Sequence, residues 1–130
     1  MRRDEDRLQM NCVRLTTLIY PWVAGCFWHT PNGGSRSARE GARFKAMGVL
    51  AGVADLFIAL PSSRHIGLFI EFKAQKGRQS AEQKVFQERM EAIGYRYEVV
   101  RSVNQYHTVI TGYLADVAPA IKNALKEIEA

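Results

Sequence analysis

The chain has 130 residues, 47% of them hydrophobic, and a formal net charge of +5. This size and apolar content suit one core, so we expect residues 1–130 to form a single domain. The apolar runs are shorter than the roughly 20 residues that cross a bilayer, and the N-terminus has no signal-peptide core. We therefore expect a soluble, cytoplasmic protein with no membrane partner.

The excess positive charge lies in one stretch of the sequence. Residues 36–78 hold eight basic side chains and three acidic ones, whereas the rest of the chain holds ten of each. The basic residues of this stretch are Arg36, Arg39, Arg43, Lys45, Arg64, Lys73, Lys76 and Arg78. Such a stretch fits either a solvated basic surface or a polyanionic partner, because phosphate attraction needs only positioned lysine and arginine.

The first predicted element is an amphipathic helix from Glu5 to about Ile19. Its apolar residues, among them Leu8 and Cys12, recur at helical spacing, and Pro21 follows its end. Glu5 lies three residues before Leu8, which puts it on the buried face. Its carboxylate is therefore either a terminal charge at a frayed helix end or a side chain that reaches into a metal site. Cys12, like Cys26, has no zinc-site spacing and is interpreted as a small apolar core residue.

A short strand or extended segment is predicted from Trp22 to Trp28, and a turn from His29 to Ser35. His29 is either a metal ligand or base, or, as is more common before such a turn, a structural hydrogen-bonding residue. The turn, with its glycines and Asn32, either brings backbone N–H groups to a phosphate or is an ordinary turn.

A second helix is predicted from Ser37 to Met47. Arg36, Arg39 and Arg43 recur at intervals of three and four residues and so share one face. A phosphate-facing surface is favoured over a purely solvated one, because the helix leads directly into the segment from Gly48 to Gly52.

Two strands follow, from Asp55 to Leu60 and from Ile66 to Lys73, and their short connection predicts an antiparallel hairpin. Alternation in the second strand places Glu71 and Lys73 on one face. Asp55, at the start of the partner strand, can lie beside them if the hairpin pairs as its length suggests.

Alternating helices and strands complete the chain. Ser80 opens a helix with a capping-box pattern, and Gln83 begins an apolar stripe that continues to Ile93. A strand from Tyr95 to Val100 follows, and the order of strand, helix and strand favours a parallel crossover. Two more helices are predicted, one after Ser102 and one over residues 118–129.

Asp55, Glu71 and Lys73 together are a donor set for a hard cation. Carboxylate oxygens suit Mg²⁺ or Mn²⁺, and a lysine at this distance can hold a metal-bound water and stabilise charge on a phosphate. Spacing alone still favours the alternative, which is an ion pair at an exposed strand end.

The order of motifs resembles the VRR-NUC (virus-type replication-repair nuclease) family of the PD-(D/E)XK nuclease superfamily. The matching blocks, collinear over about residues 5–114, are Glu5, His-x-Pro-Asn-Gly-Gly at His29, Gly-Val-x-Asp-Leu at Gly52, Ile-Glu-x-Lys at Ile70 and Lys-Gly-Arg-x-Ser-x-x-Gln at Lys76. One departure is Ala54, where the family usually has proline. Alanine there is expected to loosen the turn without removing a ligand.

The resemblance implies an α/β restriction-endonuclease-like fold, with a mixed central β-sheet flanked by α-helices. It implies Asp55 and Glu71 as the principal Mg²⁺ or Mn²⁺ ligands, the backbone carbonyl of Phe72 as a third, and Lys73 as the catalytic lysine. Glu5, also a possible metal ligand, and Gln83 would complete the catalytic set. The residues expected to contact DNA are Asn32, Arg36, Arg39, Arg43, Lys45, Lys76 and Arg78.

Family members that consist of this domain alone look like Holliday-junction resolvases. The resemblance therefore implies a structure-selective endodeoxyribonuclease that cuts branched DNA as a homodimer, in a bacterial or phage-infected cytoplasm and without an organic cofactor. Two alternatives stay open. One is a catalytically silent DNA-binding or assembly module with the same fold, and the other is an RNA-directed nuclease, which no RNA-binding motif supports.

Overall fold

The computed structural model describes residues 2–31 and 37–129. Its elements in chain order are α1 (Arg2–Ile19), a 3₁₀ turn (Pro21–Val23), β1 (Phe27–His29), α2 (Ala38–Ala46), β2 (Leu56–Ile58), β3 (Leu68–Phe72), α3 (Ala81–Ala92), β4 (Arg96–Val100), α4 (Val103–Ala115) and α5 (Pro119–Glu129). Within these residues no helix is long and apolar enough to cross a membrane.

The four strands form one mixed sheet in the order β1-β2-β3-β4. β1 pairs with β2 and β2 with β3 in antiparallel fashion, whereas β3 and β4 are parallel. The helix α3 makes the crossover between the two parallel strands, because a parallel pair cannot be joined by a tight turn. The predicted hairpin, the predicted parallel crossover and the α/β fold class are all confirmed.

The two faces of the sheet are covered by different helices. Leu68, Ile70 and Phe72 of β3 lie in the main core, which also contains buried residues of α1 and α4. Phe69 points to the other face, where its ring meets Phe86 of α3 edge-on at 5.2 Å between centroids. The strand β3 is therefore buried between two helical layers, and its end is a place where polar side chains can meet.

Two sequence expectations about element boundaries are wrong. The segment predicted as a strand from Trp22 contains the 3₁₀ turn, since Pro21 favours a helical start, and the chain turns again at Gly25 with φ at +85°. The apolar stripe of α3 does not reach Ile93, which is 60% exposed. The helix ends at Ala92, so Ile93 is its C-cap residue and leaves the packed face.

Candidate active site

The end of β3 brings the predicted site residues together. The β2–β3 ladder ends at the pair Leu56 and Ile70, so Phe72 lies two residues beyond it. Its main-chain N–H donates a hydrogen bond to Oδ2 of Asp55 at 2.7 Å. The N–H and C=O of one strand residue point to the same side, and the Phe72 carbonyl therefore also faces the side of Asp55.

A cleft of about 280 Å³ lies at this strand end. Its walls include five residues of the predicted site, which are Glu5, Asp55, Phe72, Lys73 and Gln83. A larger cavity of about 700 Å³ lies between α2 and α3, but mainly apolar side chains such as Val49, Leu50 and Val85 line it. We place the candidate chemistry in the smaller cleft because the ionisable groups converge there.

Glu71 is fully buried beside this cleft. Its Oε1 accepts hydrogen bonds from the Tyr97 hydroxyl at 2.5 Å and from Gln79 Nε2 at 3.1 Å. Its Oε2 is buried and has no hydrogen-bond partner among the described residues. The ammonium group of Lys73 lies 3.8 Å from Oε2, too far for a hydrogen bond but close enough to offset part of the charge.

The environment of Asp55 disfavours its charge. Burial raises the pKa of this carboxyl above its ordinary value of 3.8, the N–H of Phe72 lowers the pKa, and the charge of Glu71 raises it again. Two carboxylates thus share a poorly solvated site. A divalent cation bound there would satisfy Glu71 Oε2 and offset the repulsion between them, so the residues present fit the implied metal.

Glu5 reaches the same cleft from α1. Its Oε2 accepts a hydrogen bond from the main-chain N–H of Ala74 at 3.3 Å, just past the end of β3. Within the described part of the chain, no three His, Cys, Asp or Glu side chains are grouped to hold a metal ion. Glu5 therefore holds the loop after Lys73, and its role as a metal ligand stays a prediction.

Gln83 lines the cleft but its side chain also caps a helix. Its Oε1 accepts from the N–H of Ser80 at 2.8 Å, while the Ser80 hydroxyl accepts from the N–H of Gln83 at 3.1 Å. The capping box predicted for α3 is confirmed. Because the amide oxygen is used in this cap, the amide nitrogen is the part of the Gln83 side chain that can face a substrate.

His29 serves as a structural hydrogen-bonding residue. Its Nδ1 lies 2.7 Å from the main-chain oxygen of Asp55, and that oxygen also accepts from the N–H of Thr30 at 3.0 Å. A carbonyl can only accept, so Nδ1 carries the proton. The ring therefore anchors the backbone of Asp55.

The predicted DNA-contacting residues are divided between two regions. Arg39, Arg43 and Lys45 are exposed on α2, and Lys76 and Arg78 are exposed in the loop between β3 and α3. Asn32 and Arg36 lie outside the described residues.

Ala54 is a packed residue, and the looser turn expected from the lack of proline stays a prediction. Ala54 is 1% exposed and packs in the same small cluster as Phe86 and Tyr97. Its methyl group thus belongs to the packing that supports the aspartate next to it.

Three residues that the sequence reasoning missed are in contact with the site or its loop. Tyr97 and Gln79 bind Glu71, and Arg101 donates through Nη1 to the carbonyls of Ala74 and Gly77, both at 2.8 Å. Side chains alternate along β4, so Tyr97 could have been assigned to the same face as Glu71 if the register between β3 and β4 had been known. No local pattern marks Arg101, because its partners are main-chain atoms distant in sequence.

Comparison with known proteins gives a family and a similar fold. A family model described as the VRR-NUC domain matches residues 5–104. A solved structure described as a VRR-NUC domain protein is similar to this chain with a TM-score of 0.76 and 26% sequence identity, over 87% of this chain and 89% of that chain. No curated protein matches the chain.

Proposed function

Because this chain belongs to the VRR-NUC domain family, a family of nuclease type, we propose that it is a metal-dependent endonuclease that hydrolyses phosphodiester bonds in DNA. The finer part of the proposal is that it cuts branched DNA, such as a four-way junction, as a homodimer.

The observation that carries the proposal is the position of Glu71. Native proteins rarely bury a polar oxygen without a partner, yet Oε2 of this residue has none within residues 2–31 and 37–129. The side chain lies two residues from a largely buried lysine and beside a second carboxylate whose pKa is raised by burial. A site of this kind destabilises the free protein, which is typical of functional sites.

Mg²⁺ or Mn²⁺ would be held by the carboxylates of Asp55 and Glu71 and by the carbonyl of Phe72, since both ions prefer oxygen ligands. When bound, the ion supplies a positive charge that acidifies a water molecule and polarises the phosphate.

Lys73 supplies the second positive charge. Its side chain is 11% exposed, and its Nζ lies 3.8 Å from Glu71 Oε2. From the wall of the cleft, the ammonium group orients the attacking water and stabilises the negative charge that develops on the phosphate oxygens. Glu5 holds the loop that follows this lysine, and Gln83 presents its amide to the same cleft.

The substrate proposal rests on charge and on symmetry. The exposed cations of α2 and of the loop before α3 favour a polyanion. A four-way junction presents two strands to be cut, so paired cleavage needs two copies of a chain that carries one such site.

The test uses purified protein with four-way-junction, flap and linear duplex DNA and with sequence-matched RNA. Each substrate is incubated with Mg²⁺, Mn²⁺ or EDTA, and the mass of the protein is measured by analytical ultracentrifugation. The proposal predicts DNA cleavage with either metal, none in EDTA, and a dimer at micromolar concentration. Junction binding without cleavage would instead indicate the silent binding module, and preferential RNA cleavage would indicate an RNA-directed nuclease.

A further inference from the structure

We propose that Tyr97 and Gln79 are positioning residues of the candidate metal site: they occupy one oxygen of the Glu71 carboxylate and direct the other toward the cation. This inference rests on the proposed function and extends it to Tyr97, which lies outside the family motifs quoted above, and to Gln79, which fills an unspecified position within one of them.

Both side chains bind the same carboxylate oxygen. The Tyr97 hydroxyl lies 2.5 Å and Gln79 Nε2 lies 3.1 Å from Glu71 Oε1. An ionised carboxylate only accepts hydrogen bonds, so the hydroxyl and the amide are both donors, and two donors use the lone pairs of one oxygen. Among the described residues Oε2 receives no such donor. The carboxylate is thus divided into one oxygen held by the protein and one left for a ligand.

Gln79 is held in the orientation that this requires. The same Nε2 donates to Oε1 of Gln87, a residue of α3, at 2.8 Å. Both hydrogens of the amide are therefore used, one toward Glu71 and one toward the helix. Rotating the amide by half a turn would bring its oxygen against two acceptor oxygens, which is unfavourable.

Tyr97 is held by packing. The residue is 5% exposed, and its ring lies 6.2 Å from that of Phe86 and 6.3 Å from that of Phe69, which is also its partner in the parallel register. Its hydroxyl oxygen cannot move away from Glu71 unless this aromatic group moves. These aromatic side chains therefore hold the Tyr97 hydroxyl in place, and the hydroxyl in turn orients the Glu71 carboxylate.

A fixed carboxylate binds a cation more tightly than a freely rotating one, because less conformational freedom is lost on binding. Groups that hydrogen-bond to metal ligands commonly change metal affinity about 10- to 100-fold when they are removed. Tyr97 and Gln79 should accordingly act on metal affinity while leaving the ligand set intact.

The test is Mn²⁺ binding, measured by calorimetry and by the loss of the free-ion electron paramagnetic resonance signal. The variants are Tyr97→Phe, which keeps the ring, and Gln79→Met, which keeps the length of a part-exposed side chain. The control is Tyr95→Phe, since the Tyr95 ring packs on Phe69 at 5.2 Å and its hydroxyl has no hydrogen bond in the described part of the chain. Melting temperatures in EDTA report any structural effect separately.

We expect each of the two variants to weaken Mn²⁺ binding about tenfold, the control to bind like wild type, and the Mn²⁺ concentration for half-maximal cleavage to shift with the affinity. Wild-type affinity in both Tyr97→Phe and Gln79→Met would overturn the positioning role and leave the proposed function standing. If wild type itself bound no Mn²⁺, the proposed metal dependence would fail, and this inference with it. Because Gln79 lies outside the aromatic cluster, its variant decides the question even if Tyr97→Phe loses stability.

Discussion

The main-chain N–H of Phe72 donates a hydrogen bond to Oδ2 of Asp55 across 2.7 Å. The β2–β3 ladder has ended two residues earlier, at Ile70, so the carboxylate takes the place that a ladder carbonyl would have filled. The two strand ends that carry the site are therefore tied together by a site residue. A substitution at Asp55 preserves the strand ends only if it keeps an acceptor at this position.

Asp55→Asn should make the metal-free protein more stable. The amide oxygen can still accept from Phe72, while the charge that burial disfavours is gone. The pKa of Asp55 is raised in the folded protein, so the protonated form of this residue favours folding. This stabilisation is lost as the pH rises through the folded-state pKa. We expect a gain of about 1 kcal/mol, or roughly 3–5 °C in melting temperature, at neutral pH in EDTA.

Below pH 3.8, the ordinary pKa of this carboxyl, wild type and Asp55→Asn should have nearly the same melting temperature in EDTA. Mn²⁺ should raise the melting temperature of wild type and not that of the variant. If Asp55→Asn were less stable than wild type at pH 7 in EDTA, the Asp55 charge would not destabilise the metal-free protein.

Lys73→Met should separate metal binding from cleavage. Removing the ammonium group removes a charge that stabilises the transition state, so single-turnover cleavage should fall by a factor on the order of 10²–10³. Mn²⁺ affinity should stay the same or improve, because the competing cation 3.8 Å from Glu71 is gone. Lys76→Met is the control, since Lys76 is exposed in the following loop. Equal loss of cleavage in both variants would argue for a general effect of charge on DNA binding.

Gly52→Ala should be strongly destabilising. Gly52 has φ at +89°, and a Cβ there would lie 2.5 Å from the carbonyl oxygen of Glu82 at the start of α3. The left-handed backbone and the collision together should cost at least about 2 kcal/mol. Gly112→Ala is the matched control, because it lies within α4 and a Cβ there meets nothing within 4 Å. That variant should gain about 0.5–1 kcal/mol in urea unfolding.

Arg101→Lys should loosen the loop after Lys73. The guanidinium Nη1 donates to the carbonyls of Ala74, Gln75 and Gly77, and the shorter lysine side chain cannot bring its ammonium group to the same position without moving the loop. We expect a loss of about 1–2 kcal/mol and faster hydrogen exchange in residues 74–79. In the control Arg96→Lys, which alters only a part-exposed ion pair with Glu98, the change should stay below about 1 kcal/mol. Unchanged exchange in the loop would show that the arginine does not order it.

The exposed basic residues of α2 should supply affinity rather than chemistry. Changing Arg39, Arg43 and Lys45 to alanine removes three exposed cations from one helix. If each contacts a phosphate, the slope of log K against log salt concentration should become shallower by about 2–3. Fluorescence anisotropy with junction DNA measures this slope, and Arg14→Ala with Lys126→Ala, on α1 and α5, provides the comparison. A slope unchanged by the triple variant would place the DNA elsewhere.

Much of the architecture was predictable because it follows from local patterns. Apolar periodicity located the helices, alternation in β3 put Glu71 and Lys73 on one face, and Ser80 marked the start of α3 through its capping box. The errors at Trp22 and Ile93 occurred at element ends, where a proline or a C-cap outweighs periodicity.

By itself, the sequence determined the order of elements, the hairpin, the parallel crossover and the identity of the charged residues at the strand ends. Only the tertiary structure decided which atoms meet there: the Asp55 carboxylate on the Phe72 N–H, and Tyr97 with Gln79 on one oxygen of Glu71. The reason is physical. A side-chain pattern specifies which face of a strand is buried, whereas the partner of a polar atom depends on strand register and on a loop whose path is set by distant main-chain hydrogen bonds.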